Sequence, residues 1–325
     1  MILAIDVGGT KMAAGLVAPD GAVITSRRAA TPQNADAETL WHTLTTLIDP
    51  LSARAEGVGV GCGGPMTWPD GEVSPLNIPG WRGFPLRARL AGRFPGLPVR
   101  LHNDAICLAI AEHWQGAGQG SADMLGMVVS TGVGGGLILG GRLVNGGTGN
   151  AGHIGHVVVE PDGGPRCGCG GHGCLEAIAR GPALTTWALT QGWTPAAVSE
   201  PVGASDGGEA YLEDRAVTGR ALAADALAGD PMAVLAMRRA GRALGIAIAS
   251  ATHLCDLDLV TIGGGLSQAG EPLFGPLEEA LRDHARMGFA RRLKVVPAAL
   301  GQEAGLVGAA ALLLAGGAYW TSSRD

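Results

Sequence analysis

One pattern constrains this chain more than any other: an apolar strand runs into a polar, glycine-rich turn and back out into a second strand. Ile5-Asp6-Val7-Gly8-Gly9-Thr10 ends the strand Ile2–Val7, and Met12–Ala18 reads as the returning strand. Val129-Ser130-Thr131-Gly132-Val133-Gly134 repeats the design after the strand Met124–Ser130, with Thr131–Gly136 read as the turn and Leu137–Gly140 as the return. Self-similarity of this kind is a fold-level signal. It predicts two related halves that face each other across a cleft.

The rest of the chain alternates strands with helices, which implies an α/β fold. Leu40, Leu44, Leu47 and Leu51 share one face of a helix predicted over Ala37–Ala55. Gly57–Gly61 and Val99–His102 read as strands, and Asn103-Asp104 opens a helix that ends near Gly116. Further on come a long helix (Pro231–Thr252), a strand (Leu257–Ile262) closed by Gly263-Gly264-Gly265, and a helix from Pro272. A strand at Leu293–Val296 and an Ala/Leu helix at Ala304–Leu314 finish the chain. Pro161–Cys174 is a Gly- and Cys-dense loop, and Gln191–Glu213 is polar and irregular, with nothing functional to extract.

Composition narrows the class. Gly occurs 55 times in 325 residues, more than twice the usual roughly 7%, yet with no G-X-Y period, so a collagen-like chain is excluded. A net charge of −6 and the lack of a basic block argue against nucleic acid as a partner. No basic, apolar leader opens the chain, and the most apolar stretch, Gly305 to Trp320, is broken by glycines and shorter than a spanning helix. Six cysteines in so long a chain do not make a disulfide scaffold. A cytoplasmic protein with no membrane partner is expected.

Three glycine-rich turns follow apolar strands: Asp6 to Lys11, Ser130 to Gly136, and Thr261 to Gly265. Glycines let backbone N–H groups approach a phosphate closely, and Thr or Lys adds a donor. Asp6, at its strand end, is placed to hold Mg²⁺. For any single turn, a plain tight hairpin explains the glycines as well. Asn103-Asp104 fits a helix N-cap; an Asp at a strand end beside a cleft is also where a general base belongs. His156, Cys167, Cys169 and Cys174 offer an imidazole and three thiolates, a set suited to tetrahedral, structural Zn²⁺. Glu176 follows that loop and His153 precedes it; either can point into a cleft, with a surface or capping role as the plainer reading of each residue taken alone. Cys62, Cys107 and Cys255 read as core cysteines, and Trp41, Trp114 and Trp187 as core or interface. Trp81 is a core residue by default, with a sugar-lining role as the alternative.

Taken together, these motifs resemble the ROK family of repressors, open reading frames and sugar kinases. The resemblance covers the whole chain except roughly 191–220, and it rests on the Asp6–Lys11 turn, Asn103-Asp104, the Ser130–Gly136 turn and Gly149–Glu176. It implies an actin-like, ribonuclease-H-like fold of two lobes around a central cleft: residues 1–115 with 300–325 as the N-terminal lobe, and 116–299 as the C-terminal lobe carrying the zinc loop. It implies transfer of the γ-phosphoryl group of ATP to the 6-hydroxyl of a hexose or N-acetylhexosamine, with Asp104 as the base. Gly64, Asn77, Asn103, Gly132, His153, His156 and Glu176 would then meet the sugar. Asp6, Gly8, Gly9, Thr10, Lys11, Thr131 and Gly132 would surround the phosphates and Mg²⁺, and Gly264 and Gly265 would lie beside the adenosine. His156, Cys167, Cys169 and Cys174 would hold the zinc.

One departure bears on the substrate. Many ROK glucokinases carry Glu where this chain has His153, in Ala151-Gly152-His153-Ile154-Gly155-His156. A neutral His offers one donor and one acceptor in place of two acceptor oxygens. Some N-acetylmannosamine kinases of the family share the pattern, which favours N-acetylmannosamine, with glucose the alternative. A non-catalytic sugar sensor is the competing class. A repressor of the family would need a helix-turn-helix ahead of Asp6, which is not expected here. Self-association as a homodimer or homotetramer is a further expectation, again from the resemblance.

Overall fold

The computed structural model describes residues 1–196 and 217–320. The part of the irregular 191–213 stretch from 197 onward lies outside them. The first half of the chain lays down β1 (Ile2–Val7), β2 (Lys11–Val17), β3 (Val23–Ala30), α1 (Ala37–Ile48) and β4 (Gly57–Cys62). A small hairpin of β5 (Met66–Thr67) and β6 (Glu72–Val73) follows, then α2 (Leu86–Arg93), β7 (Val99–Asn103) and α3 (Asp104–Gln115). The second half contains β8 (Met124–Val129), β9 (Val133–Leu139), β10 (Arg142–Leu143), α4 (Leu175–Ala179), α5 (Gly181–Thr190) and α6 (Gly219–Leu227). It ends with α7 (Pro231–Cys255), β11 (Leu259–Gly263), α8 (Glu271–His284), β12 (Lys294–Pro297), α9 (Ala304–Leu314) and α10 (Gly316–Tyr319).

These strands form two five-stranded sheets, ordered β3-β2-β1-β4-β7 and β10-β9-β8-β11-β12. In each, an antiparallel hairpin is followed by parallel strands, and the last strand leads into a helix (α3 or α9). The two halves are therefore topological copies, as the repeated hairpin predicted. Register brings the strand ends into line: Asp6 lies beside Gly61 and Cys62 beside Asn103, while Val128 lies beside Gly263.

The sequence misplaced one element edge with consequence. Gly134, Gly135 and Gly136 belong to β9 and not to the turn, which closes at Ser130–Gly132. Their glycines are needed for packing: a Cβ on Gly134 would lie 2.6 Å from the Ala105 Cβ, and one on Gly136 would lie 2.8 Å from the Ala109 Cβ. Likewise α1 stops at Ile48 and continues as a 3₁₀ turn over Asp49–Arg54, because Pro50 cannot donate a helical hydrogen bond. Trp81 is fully buried and stacked on Phe84, so it is core and does not line the cavity described below. Cys62 and Cys107 are buried as expected, whereas Cys255 is only partly so.

Helices α3 and α9 fill the space between the sheets. α3 packs on β8, β9 and β4; α9 packs on α3, β1 and β4. Leu306 and Leu312 of α9 are almost wholly buried, and each such side chain contributes roughly 2 kcal/mol. The contact is close enough to need glycine. A Cβ on Gly59 would lie 2.0 Å from the Ala309 carbonyl oxygen, and one on Gly308 would lie 1.7 Å from that of Cys107. Both obstacles are backbone and cannot rotate away. Gly308→Ala should therefore destabilise the protein by about 3 kcal/mol, read as a lower urea midpoint with an unchanged slope. A midpoint equal to wild type would show that the helices are not held this close.

Candidate functional site

A cavity of about 650 Å³ opens at the strand ends between the two sheets. Every expected sugar, phosphate and adenosine residue lines it: Asp6 to Lys11 on one hairpin, Thr131 and Gly132 on the other, Gly64, Asn77, Asn103 and Asp104 between them, with His153, His156, Glu176, Gly264 and Gly265 completing the wall. Each hairpin is closed by its own backbone: Gly8 N–H donates to the Lys11 carbonyl, and Ser130 N–H to that of Gly132. Side chains tie the first hairpin from behind, with Thr31 Oγ1 donating to the Gly8 carbonyl at 2.7 Å and Gln33 Nε2 to that of Gly9 at 2.9 Å. Gly9 must be glycine because a Cβ would lie 2.7 Å from that of Asn77. Gly264 must be for two reasons: its φ is +97°, and a Cβ would lie 2.3 Å from the Val129 carbonyl oxygen.

Asn103 and Asp104 satisfy both readings of that dipeptide. Asn103 is the N-cap of α3, its Oδ1 accepting from the Ala105 and Ile106 amides. Asp104 takes the first helical position, its Oδ1 accepting from Ala105 N–H at 2.8 Å, and it lines the cavity. Burial pushes the Asp104 carboxyl above its ordinary value; the Ala105 amide offsets part of this, and Glu176 adds to it. Asp6 is pushed up to about 7, by burial first and by Asp104 second, with Lys11 and Arg28 pulling the other way. Glu176 is held by its own Oε2, which accepts from Val133 N–H at 2.9 Å. A Cβ on Gly132 would reach that same oxygen at 2.9 Å. Three carboxylates in one cavity suit a hydroxylic substrate, a cation and a base.

Several wall residues escaped the sequence reading. Gly305 lies in the first turn of α9, and a Cβ there would lie 2.5 Å from Asp6 Oδ2, so the helix start abuts this carboxylate only because the side chain is missing. Ser267 and Gln268 sit just past the Gly263-Gly264-Gly265 turn, and their nearness to it was the available signal. Arg220, at the start of α6, lies at the edge of the 191–220 stretch that the resemblance does not cover; Gln302 is brought in by the α9 approach.

Beside the cavity, His156, Cys167, Cys169 and Cys174 bring four ligand atoms within 4.8 Å of one another. His156 Nδ1 is 3.6 Å from Cys167 Sγ, and Cys169 Sγ is 3.8 Å from Cys174 Sγ. Tetrahedral zinc, with bonds of about 2.3 Å to sulfur and 2.0–2.1 Å to nitrogen, needs edges of about 3.5 and 3.8 Å. The set therefore fits a Cys₃His metal site. Burial and the neighbouring thiols push Cys174 up to about 12, a cost that a cation would reverse. Because Nδ1 faces the thiols, Nε2 is the ring nitrogen left to the cavity side.

The sequence model of the ROK family matches residues 2–315. A glucokinase of Thermotoga maritima is 35% identical over 320 residues, covering 96% of each chain. An N-acetylmannosamine kinase of Shigella flexneri is 36% identical over 314 residues, covering 96% of this chain and 97% of the other. Among solved structures, a ROK glucokinase of Streptomyces griseus in complex with glucose and AMPPNP superposes with a TM-score of 0.79 at 33% identity, covering 96% and 98% of the two chains. No helix among the described residues is long and apolar enough to cross a membrane.

The elevated Asp6 carboxyl has a measurable signature. Its value is about 7 in the fold against 3.8 ordinarily, so the folded chain holds this proton more tightly than the unfolded chain. The stability it lends is complete below about pH 4 and is lost as pH rises through 7. In metal-free buffer, Asp6→Asn should therefore melt at a higher temperature than wild type at pH 8 and at about the same temperature at pH 4. Parallel melting curves across that range would refute the raised carboxyl.

Proposed function

The chain belongs to the ROK family, and on that premise we propose that it is an ATP-dependent sugar 6-kinase with N-acetylmannosamine as its preferred substrate. The observation that carries the reading is the convergence of two glycine-rich hairpins, a half-buried Asp104 and the Glu176 segment on one cavity. Phosphoryl transfer requires positioning and charge neutralisation more than covalent help. Asp104 accepts the proton of the 6-hydroxyl as its oxygen attacks the γ-phosphorus, and the bond from that phosphorus to the bridging oxygen of ADP breaks. Thr10, Lys11, Thr131 and the hairpin amides hold the phosphates, and Gly264 and Gly265 flank the adenosine. Asp6 would hold Mg²⁺, which when bound offsets phosphate charge. Asn77, Asn103, Glu176, His156 Nε2 and His153 pair with sugar hydroxyls, and a site built from such groups rejects analogues that lack them.

His153 separates the two candidate sugars in this reading. It lines the cavity, its buried Nδ1 has no hydrogen-bond partner among the described residues, and a neutral ring supplies one donor and one acceptor where a carboxylate supplies acceptors alone. The relatives include both glucokinases and N-acetylmannosamine kinases, so glucose is the second reading. His156, Cys167, Cys169 and Cys174 would hold a structural Zn²⁺, which fixes the segment leading into Glu176. The lobes are taken as 1–115 with 300–325 and as 116–299, and the protein as a cytoplasmic homodimer or homotetramer.

Purified protein with ATP and Mg²⁺ should phosphorylate N-acetylmannosamine at a higher kcat/KM than glucose, mannose or N-acetylglucosamine. Asp104→Asn should lower kcat by about 10²–10⁴ without lowering the melting temperature. Preference for glucose would keep the mechanism and discard the role given to His153. Turnover of no sugar would leave a sensor.

Elemental analysis should find about one zinc per chain, lost in Cys167→Ser and Cys169→Ser. Well-folded protein without metal would end the zinc reading.

A further inference from the structure

His102 has no part in the chemistry proposed above, yet it is a fully buried imidazole one residue from the catalytic corner. Its Nδ1 lies 2.9 Å from the Asn103 amide nitrogen, whose N–H it accepts. Nδ1 is therefore unprotonated, and the ring proton sits on Nε2, 2.8 Å from Asn145 Oδ1. The donor and acceptor ends of one rigid ring thus face different sheets: Asn103 closes β7 of the first sheet, and Asn145 follows β10 of the second. Burial depresses the imidazole to about 4, which keeps it neutral and this tautomer fixed.

A second amide repeats the arrangement. Asn150 Oδ1 accepts from Met66 N–H at 3.3 Å, and its Nδ2 donates to the Met66 carbonyl at 3.0 Å. Residues 144–153 are continuous with the second sheet. Asn145 nevertheless ties them to His102 of β7 in the first sheet, and Asn150 ties them to Met66 of the small β5–β6 hairpin just beyond Gly64. This stretch ends at His153.

We propose that His102 is a positioning residue that sets the register between the Asn103-Asp104 corner and the 144–153 loop, and so between the base and the wall that carries His153. The proposal rests on the kinase reading for its kinetic consequence but not for its geometry. An apolar residue would fill the same space; only a group with an acceptor at one end and a donor at the other ties both elements. Displacement of the wall by a fraction of an ångström misaligns the sugar without disturbing the nucleotide end, and such errors are costly to bound geometry.

The test pairs kinetics with hydrogen exchange. Asn145→Ala and His102→Asn both remove the tie to Asn145, the second because its shorter amide keeps only the acceptor for Asn103. Each should raise the sugar KM about tenfold, the effect of one buried hydrogen bond left unmade, with the ATP KM within about twofold of wild type. The double variant should be no worse than either single one, as expected for one shared interaction. His102→Gln, whose amide reaches the Nε2 position, should recover most of the sugar KM. Equal rises in both KM values, additive effects, or His102→Gln no better than His102→Asn would overturn the proposal.

Amide exchange across 144–153 should quicken in Asn145→Ala and in His102→Asn, with 297–305 unchanged. This readout needs no turnover. If wild type phosphorylates no sugar, the kinase reading fails, and exchange alone still decides the register; wild-type protection of 144–153 in both variants would end it.

Discussion

The close contact of α3 with α9, and of both with the sheets, is the constraint on which the rest of the structure depends. Backbone meets backbone at Gly59 against Ala309 and at Gly308 against Cys107, while Gly126, Gly134 and Gly136 admit Ala105 and Ala109 on the other side of α3. Glycine and alanine line these contacts because any larger side chain would separate the layers. The glycine content of the chain is therefore a packing requirement as much as a matter of turns. It costs unfolded-state entropy at each position, which dense burial of neighbours such as Leu306 and Leu312 offsets.

That contact also builds the cavity. α3 starts at the strand ends with Asp104 and carries a fully buried Glu112 near its other end. The Glu112 carboxylate accepts from Ala117, Ala299 and Leu300 amides, and so fixes the chain just before Gly301, Gln302 and the start of α9. One helix thereby sets Asp104 at one end and the far wall at the other. Gly305 then brings α9 against Asp6. Gathering Asp6, Asp104 and Glu176 in one partly buried cavity disfavours charge on the first two, whose carboxyls are raised. Perturbed carboxyls gathered in one cleft mark a candidate functional site.

Much of this was legible before any coordinates. The hairpins, the N-cap at Asn103 and the Cys167-Cys169-Cys174 set with His156 are short-range patterns, and the chain folds there as its neighbours in sequence dictate. The return strand of the second hairpin was misjudged because Gly134 to Gly136 read as a turn; their real constraint is α3, from an earlier part of the chain. Trp81 was assigned on residue type alone, and Phe84 stacking beneath it decides that it is core. Arg220 and Gln302 gave no local signal, since each becomes a wall residue only through where α6 or the turn ahead of α9 packs.

The sequence by itself determined the two-fold repeat, the strand-end turns, the Cys₃His cluster and the Asn103-Asp104 dipeptide at the helix start, because each depends on residues a few positions apart. Tertiary structure decided which glycines are spacers, how high the Asp6 carboxyl is driven, and that His102 reaches Asn145 across the two sheets. Those outcomes depend on burial and on atoms brought together from opposite halves of the chain. No local pattern encodes such distances; they exist only once both sheets close on α3 and α9.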